Sequence, residues 1–155
     1  MSEAENKTIG NLESYFESRD TMEQLVVKTQ KLFDEVDEIG RALRQGEVNS
    51  GQAAQDSLLR ATGLFVYINK VAVMIAAHKK NVELRTYMKL QTAAVEAGSK
   101  YTAAGLEKES SAAVADWRRA RDIYVAYSES CKQIIQSLQS YLKYLNDQKM
   151  METGS

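Results

Sequence analysis

The sequence of 155 residues contains no proline, one cysteine, one histidine and one tryptophan. Strand-rich folds usually need proline and glycine in many turns, so a proline-free chain of this length favours long helices. The single Cys131 excludes an intrachain disulfide and a CxxC metal site, and it favours a reducing, cytoplasmic compartment. The opening MSEAENKTIG lacks the basic and apolar regions of a secretory signal, so we expect none.

Long apolar runs are also scarce, and the longest is LFVYINKVAVMIAA at Leu64–Ala77, which Asn69 and Lys70 interrupt. A transmembrane helix needs about 20 mostly apolar residues, so we expect this stretch not to span a membrane. A helix that is apolar nearly all round is normally surrounded by other elements of its own protein or of a partner. Its apolar positions recur in steps of three and four, which predicts the central helix of a bundle. They are Leu64, Ile68, Val71, Ile75, His78 and Val82.

Helix start and stop signals divide the chain into three long segments. With Thr8 as a plausible N-cap, the first helix is predicted over 9–45 and ends in RALRQG, where cations precede a glycine. The second is predicted over 52–97, capped by Ser50 or Asn49. The last is predicted over 111–146, after a short helical piece around 101–104. The predicted fold is therefore all-α, an antiparallel bundle of three long helices with coiled-coil character.

The predicted domain organisation is a single bundle over 9–147 between disordered tails at 1–8 and 148–155. The last helix has the most regular heptad pattern, although Arg121 and Ser128 place polar groups on its apolar line. Residues 1–39 hold four Lys/Arg and ten Asp/Glu, whereas 40–155 hold sixteen and eleven. We expect the acidic and basic segments to attract each other or opposite charges on another molecule.

No motif of a known catalytic class is present: there is no Walker loop, GxGxxG, GxSxG or HExxH. We therefore predict no enzyme and assign no catalytic, cofactor-binding or metal-binding residue. The lone His78 is expected to be a core residue; the alternative is a proton-linked switch or ligand contact. Asp34 and Glu38 share a helix face and would suit a divalent cation with a carboxylate of another helix, such as Glu96 or Asp116. A solvated acidic face is the favoured interpretation of the 34–38 carboxylates.

Basic residues interleaved with aromatic ones follow Trp117. Such a segment suits nucleic acid, because cations neutralise phosphates and aromatic rings stack on bases. The candidate nucleic-acid-binding residues are Arg118, Arg119, Arg121, Lys79 and Lys80. The favoured alternative is a helix end whose arginines form salt bridges with the acidic first helix.

The second half of the last helix is amphipathic and rich in residues common at protein interfaces. The candidate interface residues are Tyr124, Leu138, Tyr141, Leu142 and Leu145. Tyr144, Met150 and Met151 continue this amphipathic end. The alternative is that these side chains only complete the core of the bundle.

Residues 12–97 resemble translin-family proteins. The resemblance is carried by Arg19-Asp20, by RALRQGE at Arg41–Glu47, and by LQTAAVEA at Leu90–Ala97, which is similar to the helix that carries nuclease carboxylates in active members. It implies an all-helical, oligomeric protein that binds single-stranded nucleic acid. The chain departs from the family at the expected carboxylate pair, of which only Glu96 is present. Residues 98–155 do not match the translin family. In the general character of their sequence they resemble small helical proteins encoded near recombination genes of bacteriophages.

The first functional hypothesis is a non-enzymatic helical protein that acts by contact, as a homo-oligomer or as a subunit of a larger complex. The second is a translin-like or phage-recombination-type accessory protein that binds single-stranded nucleic acid. A metal-dependent hydrolase built on the 34–38 carboxylates ranks third. No cofactor and no membrane partner are expected.

Overall fold

The computed structural model describes residues 19–98 and 102–153, with side chains from residue 23 onward. It contains α1 (Arg19–Arg44), α2 (Gly51–Glu96), α3 (Ala103–Ala112) and α4 (Ala115–Thr153). The described residues are 91% helical and include no strand, which confirms the all-α class. The part of the first predicted helix that precedes residue 19 lies outside the described residues, as do Thr8 and the tail at 1–8.

The turn between α1 and α2 follows the predicted stop and start signals. Gly46 adopts φ 69°, a conformation that glycine reaches without a Cβ penalty. Its N–H donates to the Leu43 carbonyl, and the next N–H, of Glu47, donates to the Ala42 carbonyl at 2.9 Å. This pair of bonds is the Schellman arrangement, which satisfies carbonyls left open at a helix end. The Ser50 hydroxyl accepts from the Ala53 N–H at 3.1 Å, so Ser50 is the N-cap of α2.

The region after α2 differs from the predicted boundaries. α3 extends to Ala112, a turn follows at 113–114, and α4 begins at Ala115, four residues after the predicted start. The Thr102 side chain accepts from the Gly105 N–H at 3.2 Å and so caps α3 as a separate helix. Residues 148–153, expected to be a disordered tail, continue α4, and the sequence from Ala115 to Thr153 contains no proline or glycine that would end the helix.

The chain packs as two compact units. Among the described residues, unit 1 comprises 71–98 and 102–124, and unit 2 comprises 19–70 and 125–153. The single-domain assignment over 9–147 stays a prediction. The buried side chains of unit 1 include Val71, Ile75, Ala94, Leu106, Val114 and Tyr124. Those of unit 2 include Phe33, Val36, Ile39, Leu64, Ile68, Cys131 and Leu138.

The predicted apolar line of α2 is confirmed in its centre. Ile68 and Ile75 are both 0% exposed, and Leu64 and Val71 are buried as well. Towards the end of the line, His78 and Val82 are half-buried. By length and composition alone, α2 is apolar enough to cross a membrane, a criterion that the core helix of a soluble protein also meets. The stretch 64–77 by itself is shorter than the about 20 residues that a span needs, whereas the helix that contains it has 46 residues.

Candidate interaction surface

The acidic cluster on α1 is engaged by neighbouring side chains of unit 2. Arg60 of α2 lies 3.6 Å from the Glu35 carboxylate and 3.3 Å from that of Glu38. Asp34 accepts from the Gln30 amide at 2.9 Å. No group of three His, Cys, Asp or Glu residues is arranged to hold a metal ion within 19–98 and 102–153. Glu35, Glu38 and Asp34 are therefore held in intramolecular contacts.

Asp37, the remaining carboxylate of that cluster, joins α1 to α4. The Tyr127 hydroxyl donates to Asp37 Oδ2 at 3.0 Å, and the Tyr127 ring stacks on Phe33 at a centroid distance of 4.1 Å. Phe33 and Asp37 are one helical turn apart, so a single tyrosine contacts both. Burial raises the pKa of Tyr127, and the hydrogen bond to Asp37 raises it further, because both favour the neutral phenol.

The three candidate arginines of α4 differ in their contacts. Arg118 donates to the Ser111 hydroxyl at 2.6 Å, and Arg121 pairs with the adjacent Asp122 at 2.6 Å. Arg119 is exposed and makes no ion pair with any side chain that the structure describes. Ser111 and Asp122 thus engage two of these arginines, and the expected salt bridges to the acidic first helix stay a prediction.

The two candidate lysines of α2 lie in different surroundings. Lys79 pairs with Glu83 one turn later at 3.1 Å, and its side chain is only 16% exposed. Lys80, the next residue, is exposed. Only Lys80 of this pair is therefore presented to a partner.

The candidate interface residues of α4 divide into core and surface. Tyr124 and Leu138 are 1% and 0% exposed, so their assignment as interface residues is corrected: both are core residues of this chain. They occupy the apolar line of the heptad, which packs against the protein's own helices. Tyr141, Leu142 and Leu145 are half-buried. Beyond them Tyr144, Met150 and Met151 are exposed.

His78 has an aromatic neighbour across unit 1. Its ring meets the edge of Trp117 at a centroid distance of 4.6 Å and an interplanar angle of 64°. Both side chains are half-buried. This contact accords with a packing role for the histidine.

A groove of about 550 Å³ lies between α1 and α4 in unit 2. Arg41, Arg44 and Asp37 contribute charges to it, and Ser130 and Ser137 contribute hydroxyls. Both hydroxyls donate to carbonyls of their own helix, and Arg41 is held by Glu47 at 2.9 Å. The polar groups of the groove are thus largely occupied by intramolecular contacts.

The feature that sequence reasoning did not locate is a second apolar line on α2, on the exposed side of the helix. Its large members in unit 2 are Leu59 and Val66; those in unit 1 are Val73, Leu84, Met88 and Val95. Along a helix of 3.6 residues per turn, positions 59, 66, 73, 77, 84, 88 and 95 fall on one side. The sequence indicated a helix that is apolar nearly all round, but it did not indicate which side the other helices cover.

In comparisons with known proteins, no protein-family model matches this chain, and neither does any curated protein or solved structure. The resemblance to translin-family proteins therefore stays a prediction.

Proposed function

We propose that this protein is a non-enzymatic α-helical protein that acts by contact in the cytoplasm, as an oligomer or as a small subunit of a larger complex. The observation that carries the proposal is the exposed apolar surface of unit 2. Leu59 and Val66 are 73% and 62% exposed on α2, and Met150 and Met151 are 68% and 76% exposed on α4. Several exposed apolar side chains favour association with another protein surface, because the association buries them away from water.

The architecture we propose is the antiparallel bundle of long helices. Contacts within unit 2 support it, since residue numbers rise along α2 as they fall along α4 in the pairs Gly51–Leu145, Phe65–Lys132 and Asn69–Ser128. Along α1 and α4 the numbers rise together, in the pairs Phe33–Tyr127 and Gly40–Ile134. Short connections between such helices give an up-down-up order.

Light scattering during size-exclusion chromatography tests the association. At micromolar concentration we expect at least twice the chain mass of 17.4 kDa. The variant Leu59→Ser/Val66→Ser, which changes only exposed positions of unit 2, should lower the assembled fraction. Gln52→Ser, at an exposed polar position of the same helix, is the matched control. A single species of 17.4 kDa across this range would remove the oligomer from the proposal.

The alternative function is binding of single-stranded nucleic acid by a translin-like or phage-recombination-type accessory protein. It is supported by the exposure of Arg119 and Lys80. Each phosphate contact adds roughly 0.7 to the salt dependence of single-strand affinity. Replacing Arg118, Arg119 and Arg121 by glutamine would then flatten the slope by about two.

Binding to a labelled single strand of about 30 nucleotides at several salt concentrations compares the two functions. On the contact proposal, the wild type shows no appreciable affinity at physiological salt. Salt-sensitive micromolar binding that the triple variant loses, while its circular dichroism and assembly remain those of the wild type, would favour the nucleic-acid alternative.

A further inference from the structure

The exposed apolar line of α2, here called the 59–95 line, is arranged symmetrically about Ala77. Leu59 and Val95 lie 18 positions on either side of Ala77, and Val66 and Met88 lie 11 positions on either side. Eighteen residues are five full turns of an α-helix and eleven are just over three, so these positions share one side of α2. The four large side chains are 73%, 75%, 62% and 58% exposed, in the order named, and Ala77 is exposed as well.

This symmetry is what a contact between two copies of one helix requires. In an isologous pair of antiparallel helices, a position on one copy meets the position equally far beyond the two-fold axis on the other. With the axis at Ala77, Leu59 meets Val95 of the second copy, and Val66 meets Met88 of the second copy. The small side chain of Ala77 lets the two helices approach closely at the axis. A different protein would impose no such symmetry on the line.

The positions between these pairs also have compatible counterparts. Lys70 lies opposite Leu84 of the second copy, and a lysine stem covers apolar surface while its ammonium group stays in water. Val73 lies opposite Asn81 of the second copy. All four side chains are exposed, so no group that the fold already buries has to be released for the contact.

We propose that the 59–95 line binds the same line of a second copy, antiparallel, with the two-fold axis at Ala77. This inference rests on the proposed function and names its partner and its contact. The line is about 54 Å long at 1.5 Å per residue and about 10 Å wide, the diameter of a helix. The pair therefore buries about 1,000 Å² in total, the lower bound for a specific interface. The part from 73 to 95 alone would bury about 60% of that area, so both ends of α2 are needed.

The cations on the line favour the antiparallel orientation over the parallel one. In a parallel pair, Lys70 and Lys80 would each face their own copy. In the antiparallel pair, the two copies of Lys80 are about 9 Å apart along the helix axis, and those of Lys70 about 21 Å apart. The screening length at physiological salt is about 8 Å, so this separation removes most of the repulsion.

The charges beside the line do not attract one another in this arrangement. Asp56 comes near Glu96 of the second copy, and Lys70 comes near Arg85 of the second copy. All four side chains are exposed, so their repulsion is small and is screened by salt. Apolar burial is thus the driving force, and we expect the dimer to persist when the salt concentration is raised to about 0.5 M. A mass that falls to 17.4 kDa at that salt concentration would contradict the proposal.

Oxidative cross-linking of cysteine variants tests the register. Ala77→Cys should form a disulfide-linked dimer with itself, because the two copies of this position meet at the axis. A mixture of Val66→Cys and Met88→Cys should also form a linked dimer, whereas neither variant should do so alone. The wild type is the matched control, since its Cys131 is 0% exposed and should not cross-link. Self-linking of Val66→Cys and of Met88→Cys without a mixed product would show a parallel pair and overturn the proposal.

A variant of the unit 1 end of the line separates this inference from the proposed function. Leu84→Ser/Val95→Ser should raise the dissociation constant of the dimer at least about a hundredfold, since each buried large apolar side chain contributes about tenfold. Ala93→Ser, at an exposed position on another side of the same helix, should leave the dissociation constant unchanged.

Light scattering of the wild type distinguishes the two possible failures. A wild-type dimer that is unaffected by Leu84→Ser/Val95→Ser, or that none of the cysteine variants links, would overturn this contact and leave the oligomer of the proposed function standing. A wild type of 17.4 kDa would remove both the oligomer and this contact.

Discussion

The Ser128 hydroxyl of α4 donates a hydrogen bond to Oδ1 of Asn69 on α2 at 3.2 Å. Each of the two residues is a polar residue within an apolar stretch of its own helix, and the two side chains contact each other. Ser128 is only 3% exposed, and Asn69 is half-buried. A buried hydroxyl without a partner is costly, so this pair favours the helix register in which the two residues face each other.

A double-mutant cycle measures this contact. Asn69→Ala removes the acceptor from a buried donor and should lower the free energy of unfolding by about 1–3 kcal/mol in urea titrations. Comparing Ser128→Ala with the double variant should give a coupling of about 0.5–1.5 kcal/mol. Purely additive effects would show that the hydroxyl finds another acceptor, such as a carbonyl of its own helix.

Neighbouring positions on α2 should differ sharply in their contribution to stability. Ile75 is 0% exposed, so Ile75→Ala should cost about 2–5 kcal/mol of unfolding free energy through lost burial and a cavity. Val73→Ala, two residues earlier on the open face, should change it by less than about 0.5 kcal/mol. Equal midpoints of chemical denaturation for these variants would mean that the covered side of α2 is misassigned.

The contact between Tyr127 and Asp37 makes stability depend on pH in the alkaline range. Because the pKa of Tyr127 is raised above its ordinary value of 10.0, the folded state favours the protonated phenol. Its stabilisation is complete below pH 10.0 and is lost as the pH rises through the folded pKa. Near neutral pH, Tyr127→Phe should cost about 0.5 kcal/mol, the low end for a hydrogen bond, because the bond is solvent-exposed. The difference between the two proteins should shrink above pH 10.0; a constant difference would contradict this account.

The rate at which the Cys131 thiol is labelled should report local opening of unit 2. The side chain is 0% exposed, and burial raises the pKa of its thiol, so the reactive thiolate is disfavoured in the folded state. Labelling by an aromatic disulfide reagent should therefore be far slower than in urea. It should accelerate when a core variant such as Leu138→Ala lowers the free energy of opening. Rapid labelling of the native wild type would show that the helices packed against α4 do not cover this thiol.

The helix ends show which local signals in the sequence were sufficient to predict a helix boundary. Gly46 and Ser50 act within a few residues of chain, through a positive φ and a hydroxyl that accepts a backbone N–H. Both were predicted, because such interactions need no distant partner. The cap at Thr102 is equally local, but it was overlooked beside the glycines and serines of 98–111, and the start of α4 was therefore placed too early.

The partners of the charged side chains show what local signals in the sequence do not predict. Arg118 donates to Ser111 and Arg121 pairs with Asp122, partners on the same stretch of chain that the sequence analysis did not predict. Arg60, which drew no attention in the sequence, contacts two carboxylates of α1 instead. Charge counts predict attraction between segments, whereas the register between helices selects which ion pairs form.

The sequence by itself determined the all-α class, because helix periodicity and the absence of proline act through the local backbone. It also determined which positions form the apolar lines of α2 and α4. It also determined that α2 is apolar on two sides. Only the tertiary structure decided which of those sides is covered, since exposure depends on where the other helices lie. Ile68 and Ile75 are buried, while Val66 and Val73, of the same chemical kind two residues earlier, face outward. That difference comes from packing between helices, which side-chain hydrophobicity alone does not specify.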